Sequence, residues 1–280
     1  MGEQQRTEIK QHQNKYMIFT TKRREAINIS LEGKQLIKSE HGRFLGVIID
    51  TKLNWAQHIT NLKTKVSRNA GVMYKLKGLV PQKVLKLLYN SLVQSHLYYC
   101  SAVWGTKSYN ATKSLFSAQK KAIRAADHKF HNFKFDKDTN EPPAHTKNIF
   151  NELEILALPN LIAKNCLSIM HKVYMNVAPT KIIEMFDVIN TSRARRDPQY
   201  FDIPYNRLSI TDHSLSLIGP RLYNKTVHAI NQTLPNNVPR MQNKFMDPFK
   251  ANVTRYILSV QKLGTDEEIW QPDNYLLYTT

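Results

Sequence analysis

The sequence predicts a mainly α protein in which a small N-terminal antiparallel β unit precedes a helical bundle and a helical C-terminal region. Two periodicities support this prediction: apolar residues alternate in short runs before Asp50 and recur at spacings of three and four after it. The chain has 280 residues, of which 41% are hydrophobic, so it can bury a sizeable core. Composition divides it into 1–50, 51–130, 131–148 and 149–280.

The strand signals lie in 1–50. The apolar run at 16–20 predicts one strand, and the alternation within 27–37 predicts a hairpin whose turn contains Gly33. The sequence FLGVIID at 44–50 predicts a further strand. A β unit of this size is too small to be stable alone.

Three helices are predicted in 51–130. The second begins at Pro81, because proline is favoured in the first turn of a helix, and the third begins near Asn110, a good N-cap residue. The apolar stripe of the first helix consists of Trp55, Ile59, Leu62, Val66, Met73, Leu76 and Val80. That of the second includes Val84, Leu85, Leu88 and Leu92.

Most of the positive charge lies in these three helices. The whole chain has 40 Lys and Arg against 22 Asp and Glu, a net charge of +18. Residues 51–130 contain fourteen basic residues and one acidic residue, Asp127, a net charge of +13. Solvated helices usually mix charge signs, so this segment is typical of a phosphate-binding surface. A basic surface that only keeps the protein in solution remains the alternative.

Nine cations lie off the predicted apolar stripes and are the candidate contacts to nucleic acid. They are Lys63, Lys65, Arg68, Lys75, Lys77, Lys113, Lys120, Lys121 and Arg124. We expect them to contact the phosphates of a duplex with little sequence preference.

The remainder of the chain is close to neutral and mostly helical. Residues 131–148 are polar and predict a linker. Pro159 either begins a helix or kinks a longer one within 149–175. Further helices are predicted at 180–187, after a turn at Gly219-Pro220, and at 242–260.

The sequence offers little support for catalysis or metal binding. Cys100 and Cys166 cannot form a four-cysteine zinc site, and two cysteines fit an intracellular protein of the nucleus or cytoplasm. The pair His128 and His131 has no cysteine nearby to complete a metal site. The chain contains no glycine-rich phosphate loop, no nucleophile elbow and no apolar stretch long enough to span a membrane. We therefore predict no catalytic residue, no metal site and no membrane partner.

Several motifs carry a resemblance to a known family. In chain order they are KYMIFT, RFLGVIIDTKLNWAQHI, a leucine-rich helix that ends in YYCSAVWG, and the later GPRLYN and FKANVTRYIL. From about Lys15 to Leu258 the chain resembles the C-terminal part of reverse transcriptases from non-LTR retrotransposons of the jockey-like kind. One departure is Tyr223 in GPRLYN, where the family pattern leads us to expect Trp.

The resemblance implies a role for each part of the chain. Residues 1–50 would be the end of the palm and the primer grip, in which Phe44, Leu45 and Gly46 position the growing DNA 3′ end. Residues 51–130 would be the thumb, which holds the RNA–DNA template-primer. The expected partners are an RNA–DNA or DNA duplex and the rest of the polymerase.

The family's chemistry requires metal-binding aspartates that this chain lacks. Two-metal phosphoryl transfer needs carboxylates that bridge the ions, and the sequence contains no Asp-Asp pair. We therefore expect Mg²⁺ only in the palm, no cofactor in this chain and no polymerase activity from it. Two alternatives remain: a truncated gene, or a decayed or repurposed element whose helices form a protein-interaction module.

Overall fold

The computed structural model describes residues 15–20, 27–106, 109–128, 146–189, 200–205, 214–233 and 246–263. These residues confirm the predicted fold class, with small β sheets near the N-terminus followed by helices. The chain forms two compact units, 1–61 and 62–280. Most of the predicted linker 131–148 lies outside the described residues, so the predicted four-part division stays a prediction.

Six short strands lie among the described residues of the first unit. They are β1 Lys15–Tyr16, β2 Ser30–Leu31, β3 Lys34–Gln35, β4 Ile37–Lys38, β5 His41–Phe44 and β6 Val47–Asp50. β2 pairs with β3 and β5 pairs with β6, both antiparallel, whereas β1 pairs with β4 in parallel. The predicted strand at 16–20 is therefore shorter than its apolar run.

Both hairpins close through two-residue turns in which both residues have positive φ. The φ angles are 51° and 76° at Glu32 and Gly33, and 46° and 83° at Leu45 and Gly46. Such turns match the twist of the strands on either side. The prediction of one strand over 44–50 was wrong at its start, because Phe44 pairs with Val47 across this turn.

Asp50 organises the start of the first helix. Its carboxylate accepts hydrogen bonds from the backbone N–H groups of Lys52 and Asn54 at 3.0 Å and of Trp55 at 2.7 Å. α1 then runs over Ala56–Leu76. Its buried face consists of Ile59, Leu62, Val66, Ala70 and Met73, as the apolar stripe predicts.

The second helical segment buries a different set of side chains from the one predicted. α2 (Gln82–Tyr89) leads into a π-helical turn over Asn90–Gln94 and then into α3 (Ser95–Tyr98). The fully buried side chains are Leu85, Tyr89, Val93 and Leu97, four residues apart. In a regular helix that spacing drifts around the axis, and the wider π turn compensates for part of the drift. Val84, predicted as core, is exposed.

The remaining helices complete the second unit. They are α4 Ser101–Trp104, α5 Tyr109–Ala125, α6 Thr146–Glu152, α7 Leu158–Tyr174, α8 Thr180–Ile183, α9 Leu215–Thr233 and α10 Met246–Leu263. α5 begins one residue before the predicted cap Asn110. Pro159 is the second residue of α7, so it belongs to the start of a helix rather than to a kink.

α9 contradicts the predicted turn at Gly219-Pro220, because Pro220 lies inside the helix. Gly219 lies against α7: a Cβ placed on it would lie 2.6 Å from the Sδ of Met170. The helix therefore continues through GPRLYN because its glycine permits close packing at that point.

Two buried glutamines, rather than a capping side chain of its own, satisfy the N-terminus of α7. Gln119 Oε1 accepts from the N–H of Leu158 at 2.8 Å, and its Nε2 donates to the carbonyl oxygen of Leu156 at 3.1 Å. Gln261 Oε1 accepts from the N–H of Ala157, and its Nε2 donates to the carbonyl oxygen of Ile155, both at 3.1 Å. Side chains from α5 and α10 thereby satisfy backbone groups that would otherwise be buried unpaired.

An aromatic cluster fills the space between α7, α9 and α10. His171 stacks on Phe249 with ring centroids 3.6 Å apart, and its Nδ1 is 2.9 Å from the hydroxyl oxygen of Tyr223. Tyr223 also contacts the rings of Tyr174 and Phe201. The hydroxyl of Tyr223 therefore has a buried hydrogen-bond partner. The Trp that the family pattern leads us to expect here would place its indole N–H differently.

Candidate nucleic-acid interface

The predicted primer-grip residues form the tip of the β5–β6 hairpin in the first unit. Phe44 is 65% exposed and Leu45 is 73% exposed. Gly46 has a φ of 83°, which a residue with a Cβ rarely adopts. A rigid two-residue turn thus presents two large apolar side chains, a shape that can support a sugar or base.

Three of the predicted cations on α1 form one exposed row. Lys65, Arg68 and Lys75 are exposed; at 100° per residue Arg68 and Lys75 project from the side opposite the buried stripe, and Lys65 projects from the adjoining flank. We name these three residues the α1 row. Lys63 is also exposed but projects from the other flank of the helix.

The ring of His96, on α3, lies near the α1 row. Burial lowers the pKa of His96, and the positive charge of Lys65 lowers it further. The imidazole is therefore neutral at pH 7 and does not add to the positive charge. An anion bound at Lys65 would offset the positive charge of that lysine, and the pKa of His96 would rise.

Three predicted cations on α5 form a second row. Lys113, Lys120 and Arg124 are spaced by seven and four residues, which places them on one face of the helix. We name them the α5 row. Burial lowers the pKa of Lys120, and the charges of Arg124 and Lys113 lower it further.

Lys120 is held in place by packing. Its Nζ lies 4.6 Å above the centroid of the Phe116 ring, a cation–π arrangement. Lys120 and Arg124 are both half-buried, whereas Lys121 is exposed beside the row. Because the sequence has no acidic residue from 51 to 126, no acid on α1 or α5 can neutralise either row.

Lys77, by contrast, contacts another part of the protein. Its Nζ donates to the carbonyl oxygen of Arg124 at 3.4 Å, which joins the end of α1 to the end of α5. Burial lowers its pKa, and the neighbouring Asp127 acts in the opposite direction. The same junction contains a hydrogen bond of 2.6 Å from Gln82 Nε2 to the carbonyl oxygen of Ala126.

Six of the nine predicted cations lie in the two rows. Lys63 and Lys121 lie beside the rows, and Lys77 hydrogen-bonds within the protein. Sequence reasoning missed a further basic group: Lys164, Lys250 and Arg255 line one cleft. Lys164 interrupts the otherwise apolar start of α7, and that was a usable signal. Nothing in the sequence links it to α10, which begins about eighty residues later.

Trp55 and Trp104 are buried, so packing rather than base stacking explains both. Cys166 is buried and unpaired, and burial raises the pKa of its thiol to about 12. None of the helices that the structure describes is long and apolar enough to cross a membrane. Within the same described residues, no group of three or more His, Cys, Asp and Glu is placed to hold a metal ion.

Comparison of the chain with protein-family models, with curated proteins and with solved structures finds no match.

Proposed function

We propose that this chain binds a nucleic-acid duplex through its phosphates, as the thumb and primer grip of a non-LTR retrotransposon reverse transcriptase. The α1 row and the α5 row would contact the backbone of an RNA–DNA or DNA duplex with little sequence preference. The sequence motifs from Lys15 to Leu258 support the family, and the two rows support the binding mode.

One observation above all supports phosphate binding. Lys113, Lys120 and Arg124 lie on one face of α5, close enough for the first and third to lower the pKa of the second. Such an arrangement destabilises the isolated helix. A polyanion across the row would remove the repulsion, and the release of counterions would favour the complex.

The hairpin tip supports the primer-grip part of the proposal. Phe44 and Leu45 would contact the sugar and base of the primer 3′ end, and Gly46 would let the backbone approach the strand. These residues position the primer and take no part in bond making. We accordingly expect no nucleotide incorporation by this chain in a primer-extension assay with Mg²⁺ and nucleotides, and synthesis would contradict that expectation.

The experiment that tests the proposal reverses the charge of the α1 row. In Lys65→Glu/Arg68→Glu/Lys75→Glu, the affinity for a short RNA–DNA duplex at low salt should fall at least about a hundredfold, because each lost phosphate contact also becomes a repulsion. Fluorescence anisotropy with a labelled duplex measures the change.

A matched control has the same change in net charge elsewhere. Lys172→Glu/Arg221→Glu/Lys225→Glu alters three exposed residues of α7 and α9. The control should lose less than about tenfold, through the long-range field alone. Equal losses in the two variants would show that net charge, rather than the α1 row, determines binding.

A second candidate function is a helical protein-interaction module. The observation that favours it is the exposure of large apolar side chains before and along α2, with Leu79 77% exposed and Leu87 66% exposed. Exposed apolar clusters often mark contact surfaces. A Leu79→Ser/Leu87→Ser variant that keeps full duplex affinity but loses a protein partner would favour this candidate.

A further inference from the structure

A cleft of about 430 Å³ lies between α7 and α10, outside both basic rows. Its lining includes Glu154, Lys164, Lys250, Thr254, Arg255 and Leu258. α7 and α10 pack directly on each other, and α10 is also fixed by Gln261, so the cleft lies on the surface of a packed pair of helices. The cleft is shallow and open to solvent.

The cleft contains three cations and one carboxylate. Lys164, Lys250 and Arg255 make no ion pair with any residue that the structure describes. Lys164 and Lys250 are both half-buried. Burial lowers the pKa of Lys164, and the charge of Lys250 lowers it further, so the two ammonium groups lie close enough to repel each other.

The cleft also holds the carboxylate of Glu154, which is exposed, and the hydroxyl of Thr254. Its Oγ1 donates to the carbonyl oxygen of Lys250 at 2.6 Å, which turns an oxygen lone pair rather than the proton toward the rest of the cleft. The donors that remain for a ligand are therefore the two ammonium groups and the guanidinium. Because three cations outnumber the one carboxylate of Glu154, an anion with several acceptor oxygens matches the cleft better than a cation does.

We propose that the α7–α10 cleft is a binding site for a phosphate group. Lys164 and Lys250 each donate to a phosphate oxygen, and Arg255 binds two oxygens with its planar guanidinium. Leu258 provides an apolar wall for the atom that carries the phosphate. The proposal does not depend on duplex binding by α1 and α5, because none of its residues lies on those helices.

Two sources of this phosphate share the same chemistry: the monoester of a nucleotide and the diester of a nucleic-acid strand. A dinucleotide with a 5′ phosphate presents both groups, and the same dinucleotide without it presents only the diester. Tighter binding of the first compound would assign the site to a monoester, and equal binding would assign it to a diester.

The test is a titration of the full chain with inorganic phosphate and with each dinucleotide. Potassium chloride holds the ionic strength constant, and ¹⁵N-labelled lysine side chains report the binding by NMR. We expect the Nζ signals of Lys164 and Lys250 to shift together and saturate with a Kd near or below about 1 mM for at least one of these compounds. The Nζ signal of the exposed Lys172, also on α7, should stay unchanged.

Three variants sharpen the test. Lys164→Gln should weaken binding at least about tenfold, because one of two ammonium contacts is lost. Lys164→Arg, which keeps the charge, should stay within a few fold of the natural chain, and Lys172→Gln should bind normally. If Lys164→Gln fails to fold, Arg255→Gln replaces it, since Arg255 is exposed.

The proposal is overturned if none of the three compounds shifts the Nζ signals of Lys164 and Lys250 at constant ionic strength. It is also overturned if Lys172→Gln weakens binding as much as Lys164→Gln does. Loss of duplex binding in the α1-row variant together with normal phosphate binding here would separate this site from the proposed thumb.

Discussion

The basic helices α1 and α5 carry rows of cations at the surface, whereas the helices α7, α9 and α10 bury several uncharged polar side chains among themselves. On α1 and α5 the surface charges are all positive, because the sequence has no acidic residue from 51 to 126. Among the C-terminal helices the inward groups are Asn160, His171, Thr226 and Gln261, all buried and all without charge at neutral pH.

We infer that, within the second unit, the surface charges serve ligand binding and the inward polar groups serve stability. Exposed charges contribute little to the free energy of folding, so they are available to bind a ligand. Inward polar groups that hydrogen-bond to backbone contribute to folding and cannot reach a ligand. Substitutions on α1 should therefore alter binding, and substitutions among the inward groups should alter stability.

The largest effect on stability is expected for Gln261→Ala. It leaves the N–H of Ala157 and the carbonyl oxygen of Ile155 buried without their partner. Each such group costs about 1–3 kcal/mol, so the free energy of unfolding should fall by about 3 kcal/mol or more. Urea unfolding measures it, and the duplex affinity of the folded fraction should stay unchanged.

The matched control is Ser259→Ala, an exposed position two residues away on the same helix, which should change stability by less than about 0.5 kcal/mol. If Gln261→Ala weakens duplex binding without lowering stability, the separation between outward and inward groups does not hold.

The pH dependence of stability should come largely from His171. Burial lowers its pKa from 6.5 to about 4, and its Nε2 has no hydrogen-bond partner among the described residues. The folded state therefore favours the neutral ring, so stability present above pH 6.5 is lost as the pH falls toward 4. At 1.36 kcal/mol per pKa unit the loss reaches roughly 3 kcal/mol.

His171→Phe keeps an aromatic ring against Phe249 and removes the titration. Unfolding measured from pH 7.5 to 4 should give a shallower pH dependence for the variant than for the natural chain. Parallel curves would assign the acid lability to other groups.

Two glycines provide the smallest and most closely matched comparison. At Gly105 a Cβ would lie 2.5 Å from the carbonyl oxygen of Ser101 and 2.8 Å from the Ile162 side chain, whereas at Gly71 in α1 nothing lies within 4 Å. Gly105→Ala should destabilise by about 1–3 kcal/mol through overpacking. Gly71→Ala should stabilise by about 0.5–1 kcal/mol through helix propensity. Thermal unfolding of both variants checks the opposite signs, and equal signs would contradict the packing difference.

The periodic elements were predictable because each depends on neighbours in sequence. The stripe from Ile59 to Met73 fixed the buried face of α1, and Gly33 marked the first hairpin turn. The off-stripe cations followed from the same periodicity. Lys65, Arg68 and Lys75 could therefore be placed off the buried stripe from the sequence alone.

The rest depends on contacts between distant segments. Gln119 and Gln261 satisfy the start of α7 from 39 and 104 residues away, and no local pattern reveals such a cap. The π turn at Asn90–Gln94 moves Leu88 and Val93 relative to a regular helix. Pro220 signals a turn locally, yet the packing of Gly219 against Met170 keeps the helix continuous.

The salt dependence of duplex affinity tests the central proposal most directly. If the α1 row and the α5 row contact six phosphates, the logarithm of the association constant should fall with the logarithm of salt concentration with a slope of about −5. Anisotropy titrations of one RNA–DNA duplex from low to moderate salt give this slope. A slope no steeper than about −1 would mean that these rows do not bind the phosphate backbone.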